Sequence, residues 1–296
     1  MECGFVGDAS WVILSPIEQS IKKKIESIGT PLKDWNIQIN YGIKTGFNDA
    51  FIISTEKRNE ILANCQSEEE RERTAELIRP ILRGRDIKRY GYEWANLWLI
   101  YLPWHFPLQF DASIQGASEK AENEFNKIYP SVYQHMLQYK PQLSARNKAE
   151  TGIRYEWYAL QRWGANYWED FSKPKIIFQE IVKESQFMYD DNVHFFCNDT
   201  CRIITGNSIK FLLGIMNSKL FFFAIKNYYG GGGLGENGVR MKHTFFQDFC
   251  CPSDKQCIEH LVEKRLNQMI SEKEIDKKVY ELYGLSKGEI EFIESQ

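Results

Sequence analysis

Asp86-Ile87-Lys88 has the Asp/Glu-x-Lys spacing by which metal-dependent nucleases hold a divalent ion and steady the attacking water. No Pro-Asp element precedes it, and its setting between Arg83, Arg85 and Arg89 suits phosphate binding better than hydrolysis. Other catalytic patterns are missing. There is no Pro-Pro pair, so the Asn/Asp-Pro-Pro-aromatic motif that holds a target amine in DNA amino-methyltransferases is absent. His105, His135, His194, His243 and His260 form neither HxH nor HExxH, and there is no GxSxG elbow. Gly233 to Gly238, GLGENG, matches the nucleotide-loop pattern GxGxxG. A helical pattern precedes it and a strand-like segment follows, the reverse of the context that gives the pattern meaning, so it reads as a mobile loop. Cys197 and Cys201, with Cys250, Cys251 and Cys257 further on, lack the paired CxxC-like spacing of a zinc site. The chain therefore carries no catalytic residue set, and no cofactor or metal site is assigned to it.

What remains suits binding. Arg and Lys make charge-assisted contacts to phosphate, while Arg, Lys, Asn and Gln can pair bidentately with base edges in the major groove. Lys44, Thr45 and Asn48 stand in a glycine-bracketed turn, and Arg83, Arg85, Lys88 and Arg89 cluster in LRGRDIKRY. Arg154, Gln161 and Arg162 alternate with Trp157, Tyr158 and Trp163 in RYEWYALQRW. Arg146, Lys173, Lys219, Arg240 and Lys242 complete the candidate DNA contacts. The competing reading of RYEWYALQRW is an amphipathic strand or helix whose aromatics are core.

The elements that must position these residues are partly legible. IQINY and AFII, apolar alternating runs on either side of the Gly42 to Asp49 turn, predict a strand, a tight loop and a returning strand over Ile37 to Ile53. Ser15-Pro16-Ile17-Glu18, Ser67 to Glu70 and Ser286 to Glu289 are capping boxes that start helices. Leu97 to Leu102 reads as a buried strand, Ser118 to Tyr129 as a helix broken by Pro130, and His135 as a packing residue on the next apolar stripe. Lys175 to Ile181, Phe187 to Phe196 and Cys201 to Thr205 read as strands. Ser208 caps an apolar helix carrying Asn217-Ser218-Lys219 in its middle, Val239 to Phe249 reads as a final strand, and two helices close the chain.

Composition is that of an ordinary globular protein, with 43% hydrophobic and 26% charged residues. No apolar run approaches the roughly 20 residues of a membrane span, and Met1 to Ser10 lacks a secretion-type leader. Seven irregularly placed cysteines point to a reducing cytoplasm. A net charge of −3 argues against nucleic acid at first sight, but its distribution does not. Basic outnumber acidic residues 7 to 3 over Arg71 to Tyr90, 8 to 5 over Lys140 to Lys183 and 6 to 1 over Arg202 to Gln247, as expected if one face meets phosphates. Solvated helix faces with local imbalance are the alternative.

Seven segments resemble, in order, the TaqI-like C-terminal specificity domain of restriction-modification enzymes: GIKTGFNDAFII from Gly42, IRPILRGRDIKRY from Ile78, FNKIYPSVYQHMLQYKPQLSAR from Phe125, WYALQ from Trp157, FSKPKIIFQEI from Phe171, FLLGIMNSKL from Phe211 and IDKKVYELYGLSKGEIEFIE from Ile275. The resemblance implies a target-recognition domain that holds double-stranded DNA for an adenine methyltransferase. In such enzymes that methyltransferase domain or subunit binds S-adenosylmethionine and flips the base, and some members add a magnesium-dependent nuclease. It also implies that both catalytic parts lie outside this chain, which is then a piece of a larger enzyme or a separately encoded subunit. The expected fold is α+β, with mixed or antiparallel sheets, packed helices and C-terminal helices. The expected division is a connector helix over 1–34, the recognition domain over 35–254 and a helical segment over 255–296. Two other functions stay open: a nuclease centred on Asp86 and Lys88, and a protein-interaction module using the aromatic surface.

Overall fold

The computed structural model describes residues 14–230 and 238–296, and the fold is α+β. GLGENG falls almost wholly outside the described residues. The chain divides into two compact units that do not follow chain order. One comprises residues 37–180 and 186–209; the other gathers, of the described residues, 14–36, 181–185, 210–230 and 238–296.

The first unit is built on two four-stranded sheets. In one, the strands run Phe187–Asp190, Lys175–Gln179, Cys201–Gly206, Ile37–Tyr41, all antiparallel, with Ile39 opposite Ile204 and Ile177 opposite Ile203. In the other, Phe196–Cys197 lies parallel to Ile78–Leu82, which pairs antiparallel with Leu97–Ile100, and that strand pairs with Ile52–Ser54. The central strands Lys175–Gln179 and Cys201–Gly206 are buried almost throughout, which is why they read as continuous apolar runs rather than alternating ones. Lys175 is fully buried, and its Nζ meets Asp190 Oδ2 at 2.7 Å. Asp190 also accepts the amides of Val193, His194 and Phe195, so one carboxylate ends its strand and shapes the turn leading to Phe196–Cys197. Phe171 stacks on Phe196 with centroids 4.4 Å apart.

Several expectations need correction. Ile37 to Ile53 is not a hairpin: Ile37–Tyr41 and Ile52–Ser54 belong to different sheets, and a short helix, Asn48–Phe51, separates them. Alternation marks a strand but not its partner, and each found better burial with a distant one. Arg154 to Trp163 is neither strand nor helix but an irregular segment whose Tyr155, Tyr158 and Leu160 are fully buried. Phe187 to Phe196 is two strands rather than one, broken at the Asp190 turn.

In the second unit the apolar stretch after Ser208 is two helices, Ile209–Met216 and Lys219–Ala224, because Ser218 turns out of the first to cap the second through the Phe221 amide. Val239 to Phe249 is likewise broken, into a two-residue strand Val239–Arg240 and the turn of helix His243–Phe246. Three helices close the chain where two were expected: Gln256–Leu266, Glu272–Leu282 and Lys287–Glu294. The capping boxes at Ser15 and Ser286 form as read. Residues of the N-terminal connector and of the C-terminal helical segment lie in this same unit. Glu289 fastens them, accepting from Ser20 Oγ at 2.7 Å and Lys24 Nζ at 2.6 Å.

Burial pushes the Glu289 carboxyl up, but Lys24, the Ser286 amide and Ser20 outweigh it and hold the group at about 2, below its ordinary 4.5. A depressed acid stabilises the fold fully above its unfolded value and loses that contribution as pH falls through the folded one. We therefore expect the helical unit to lose stability between about pH 4.5 and pH 2. Glu289→Gln should flatten this dependence in urea titrations run across that range, and an unchanged slope would contradict it.

Candidate nucleic-acid interface

The Gly42 to Asn48 turn and the Trp157 to Trp163 segment, distant in sequence, are joined through their main chains. Lys44 donates its amide to the Arg162 carbonyl at 3.0 Å, and Arg162 returns the bond at 2.9 Å. The Gly42 amide reaches the Cys201 carbonyl at 3.0 Å and the Ile43 amide the Cys197 carbonyl at 2.8 Å. A Cβ on Gly42 would stand 1.9 Å from the Asn198 oxygen, so only glycine allows this approach. Gly46 has φ of +76° and packs beside Gln161 and Arg146.

Arg146 secures both segments from beneath. It is 7% exposed, and its guanidinium donates to the carbonyls of Thr45, Leu143 (3.1 Å), Trp157 (2.8 Å) and Ala159 (2.7 Å). Burial lowers its pKa to about 10, which still leaves it charged at neutral pH. The expected DNA contact at Arg146 is therefore corrected: its donors are already committed to the scaffold. Thr45 is also buried, its hydroxyl donating to Asn48 Oδ1 at 2.6 Å, so it orients Asn48 rather than facing solvent.

Above this scaffold Lys44, Asn48, Gln161 and Arg162 reach the surface. Among the described residues the side chains of Lys44, Gln161 and Arg162 form no hydrogen bond or ion pair within the protein. Arg162 lies over the ring of Tyr41 at 5.0 Å, and Arg202, paired with Glu180 at 2.5 Å, lies over the same ring at 3.9 Å. Tyr41 is 38% exposed, and the sequence reading missed it. Its signal was an aromatic ring at the end of an alternating strand, directly before Gly42.

The other candidates are placed differently. Arg83 clasps Asp86 through Nε at 3.0 Å and Nη2 at 2.8 Å. Burial alone would raise the Asp86 pKa, but the hydrogen bonds from Arg83 outweigh it and hold the carboxyl low. Both Asp86 oxygens are thus taken up in a local turn, and Lys88 turns to Glu93 at 3.3 Å. Among the described residues no group of three or more His, Cys, Asp or Glu could hold a metal ion. Arg85 is exposed and Arg89 half-buried. Arg154 pairs with Glu150 at 2.8 Å and Lys173 with Asp170 at 2.8 Å. In the second unit Lys219 pairs with Glu294, Lys242 lies over the Phe245 ring at 5.9 Å, and Arg240 sits in its short strand. Much of the basic charge counted along the sequence is therefore answered inside the protein.

The model of the TaqI-like C-terminal specificity domain matches residues 79–233, just over half of the chain. The chain belongs to this family. The matched region holds Gln161 and Arg162, while the Gly42 turn and the closing helices lie outside it. Two curated relatives are type II methyltransferases. M.BstVI of Geobacillus stearothermophilus is 20% identical over 294 residues, covering 98% of this chain and 47% of the relative. M.MjaIV of Methanocaldococcus jannaschii is 22% identical over 211 residues, covering 70% of this chain and 61% of the relative. The chain thus spans about half the length of the first and three fifths of the second. Two solved structures share the fold over 90% of the chain: the type IIL restriction-modification enzyme MmeI in complex with DNA (TM-score 0.51, 15% identity, 36% of that chain) and the type IIG restriction endonuclease BpuSI (TM-score 0.50, 14% identity, 32% of that chain).

Replacing Arg146 leaves the buried carbonyls of Thr45, Trp157 and Ala159 without this donor, while that of Leu143 keeps only the backbone amide of residue 146. Arg146→Ala should cost roughly 3 kcal/mol or more of folding stability. Denaturant unfolding of the chain measures it, and a loss under about 1 kcal/mol would show that the carbonyls find other donors.

Proposed function

We propose that this chain is the DNA-reading part of a restriction-modification enzyme and presents duplex DNA to an adenine methyltransferase carried by another domain or subunit. The observation that carries the reading is the turn pair joined by main-chain bonds at Lys44 and Arg162, with the cationic and amide side chains of Lys44, Gln161 and Arg162 unanswered within the protein among the described residues. Lys44 suits a phosphate as a flexible point charge. Arg162 and Gln161 offer the planar donor and the donor-acceptor pair that read guanine and adenine edges, and Asn48 keeps its amide NH2 for the same use. S-adenosylmethionine chemistry, and magnesium where a nuclease is attached, would be supplied by the remaining parts of the enzyme. The relatedness to type II methyltransferases and the fold shared with MmeI, solved in complex with DNA, support this assignment.

The test is duplex binding by the chain, alone and joined to its methyltransferase, using the sequence that the complete enzyme methylates. Affinity should fall steeply with salt as phosphate contacts displace counterions. Lys44→Ala should weaken binding to all sequences and reduce the salt slope by about 1. Arg162→Ala should cost about 1–3 kcal/mol on the target and relax discrimination at one position. Lys219→Ala, which removes a charge already paired with Glu294, should change little. Absence of duplex binding at low salt in both forms would overturn the proposal.

A further inference from the structure

A cavity of about 210 Å³ opens in the sheet-bearing unit, walled by Phe110, Trp163, Trp168 and Phe196 among other apolar groups. Phe110 and Trp168 meet at 6.1 Å with their planes inclined by 44°, and Phe110 is 70% exposed. A cavity of about 150 Å³ already accepts a benzene-sized ring, so this one has room for a larger planar ring.

Its polar groups narrow the choice. Gln109 lines the cavity as well, with its side-chain oxygen closed off from solvent and without a hydrogen-bond partner among the described residues. The exposed Glu76 carboxylate supplies an acceptor at the lining. Arg79, on the exposed side of the Ile78–Leu82 strand, also lines the cavity and makes no ion pair among the described residues. Aromatic walls, a carboxylate acceptor at the lining and an unpaired guanidinium are together the chemistry that holds a flat, amine-bearing heterocycle joined to an anion.

We infer that this cavity binds a nucleoside monophosphate unit, its base stacked on Phe110 and Trp168 with an N–H group toward Glu76, and its phosphate on Arg79. The unit could come from free nucleotide or from an unpaired base of DNA, and this site does not depend on the Lys44 and Arg162 contacts. Trp163 directly follows Arg162 in the chain, so the cavity wall and the reading segment share one stretch of backbone.

Calorimetric titration of the 296-residue chain with AMP, and with ribose 5-phosphate as control, tests it. AMP should bind at millimolar concentration or below and ribose 5-phosphate should not. Phe110→Ala and Arg79→Ala, both at exposed side chains, should each weaken AMP at least about tenfold. No AMP binding, equal binding of ribose 5-phosphate, or unaltered affinity in both variants would overturn the inference. A parallel comparison uses a duplex with one unpaired adenine and its fully paired counterpart. Preference for the unpaired duplex, lost in Phe110→Ala, supports DNA as the source, whereas AMP binding without that preference supports free nucleotide. Paired duplex bound with no AMP binding would sink the cavity site and leave DNA reading standing.

Discussion

A buried guanidinium with no carboxylate partner among the described residues holds the candidate interface together. Arg146 stays charged by surrounding itself with carbonyl oxygens, and those of Thr45, Trp157 and Ala159 belong to the two segments that must meet. Desolvating the cation is costly, which is why its pKa falls to about 10, and the charge-assisted bonds offset that cost. Lysine would not replace it. An ammonium has three donors at one point, while the planar fork spans carbonyls from separate segments at fixed angles. The ring of Phe51, 5.4 Å from the guanidinium carbon, closes the site against the short helix after the turn.

With the scaffold fixed from beneath, the distribution of charge above it becomes interpretable. A basic window in a sequence is a count of side chains, whereas an interface is made by those whose charge is left unanswered. Arg83, Arg154 and Lys173 each lie three or four residues from a carboxylate and close on it locally. Lys44 and Arg162 have no such neighbour. The steep salt dependence expected of DNA binding would then arise from a smaller set of cations than the three windows contain.

Local signals in the sequence were sufficient where the interaction was itself local. Ser15, Ser67 and Ser286 cap the helices that their spacing announces, because a side chain reaching an amide three residues on needs no tertiary partner. Leu97 to Leu102 and Cys201 to Thr205 were legible as strands, and the ordered segments from Gly42 onward were enough to point to the family. The separation of Ile37–Tyr41 from Ile52–Ser54 was not legible, since pairing partners are chosen by burial across the whole unit. The role of Arg146 was hidden for a related reason: carbonyls are present at every residue, so a cation satisfied by them leaves no pattern. Of the site itself, residue types singled out Lys44, Gln161 and Arg162 as candidate contacts, but only the fold brought them together.

The way the two segments are joined bears on how such a surface could be redirected. The bonds linking Lys44 to Arg162, Gly42 to Cys201 and Ile43 to Cys197 run between main chains, and Arg146 also grips carbonyls. None of them uses the side chain of Lys44, Gln161 or Arg162. Exchanging those side chains would alter the groups presented at the surface without removing a bond that holds the turn, so the proposed recognition could change while the backbone stays fixed. Asn48 is tied more closely, because its oxygen accepts from Thr45 and a substitution there would release the Thr45 hydroxyl into a buried site. The constraint on the surface is therefore uneven: the tips of three residues are separable from stability, whereas Thr45, Asn48 and Arg146 bind the Gly42 to Asn48 turn to the core.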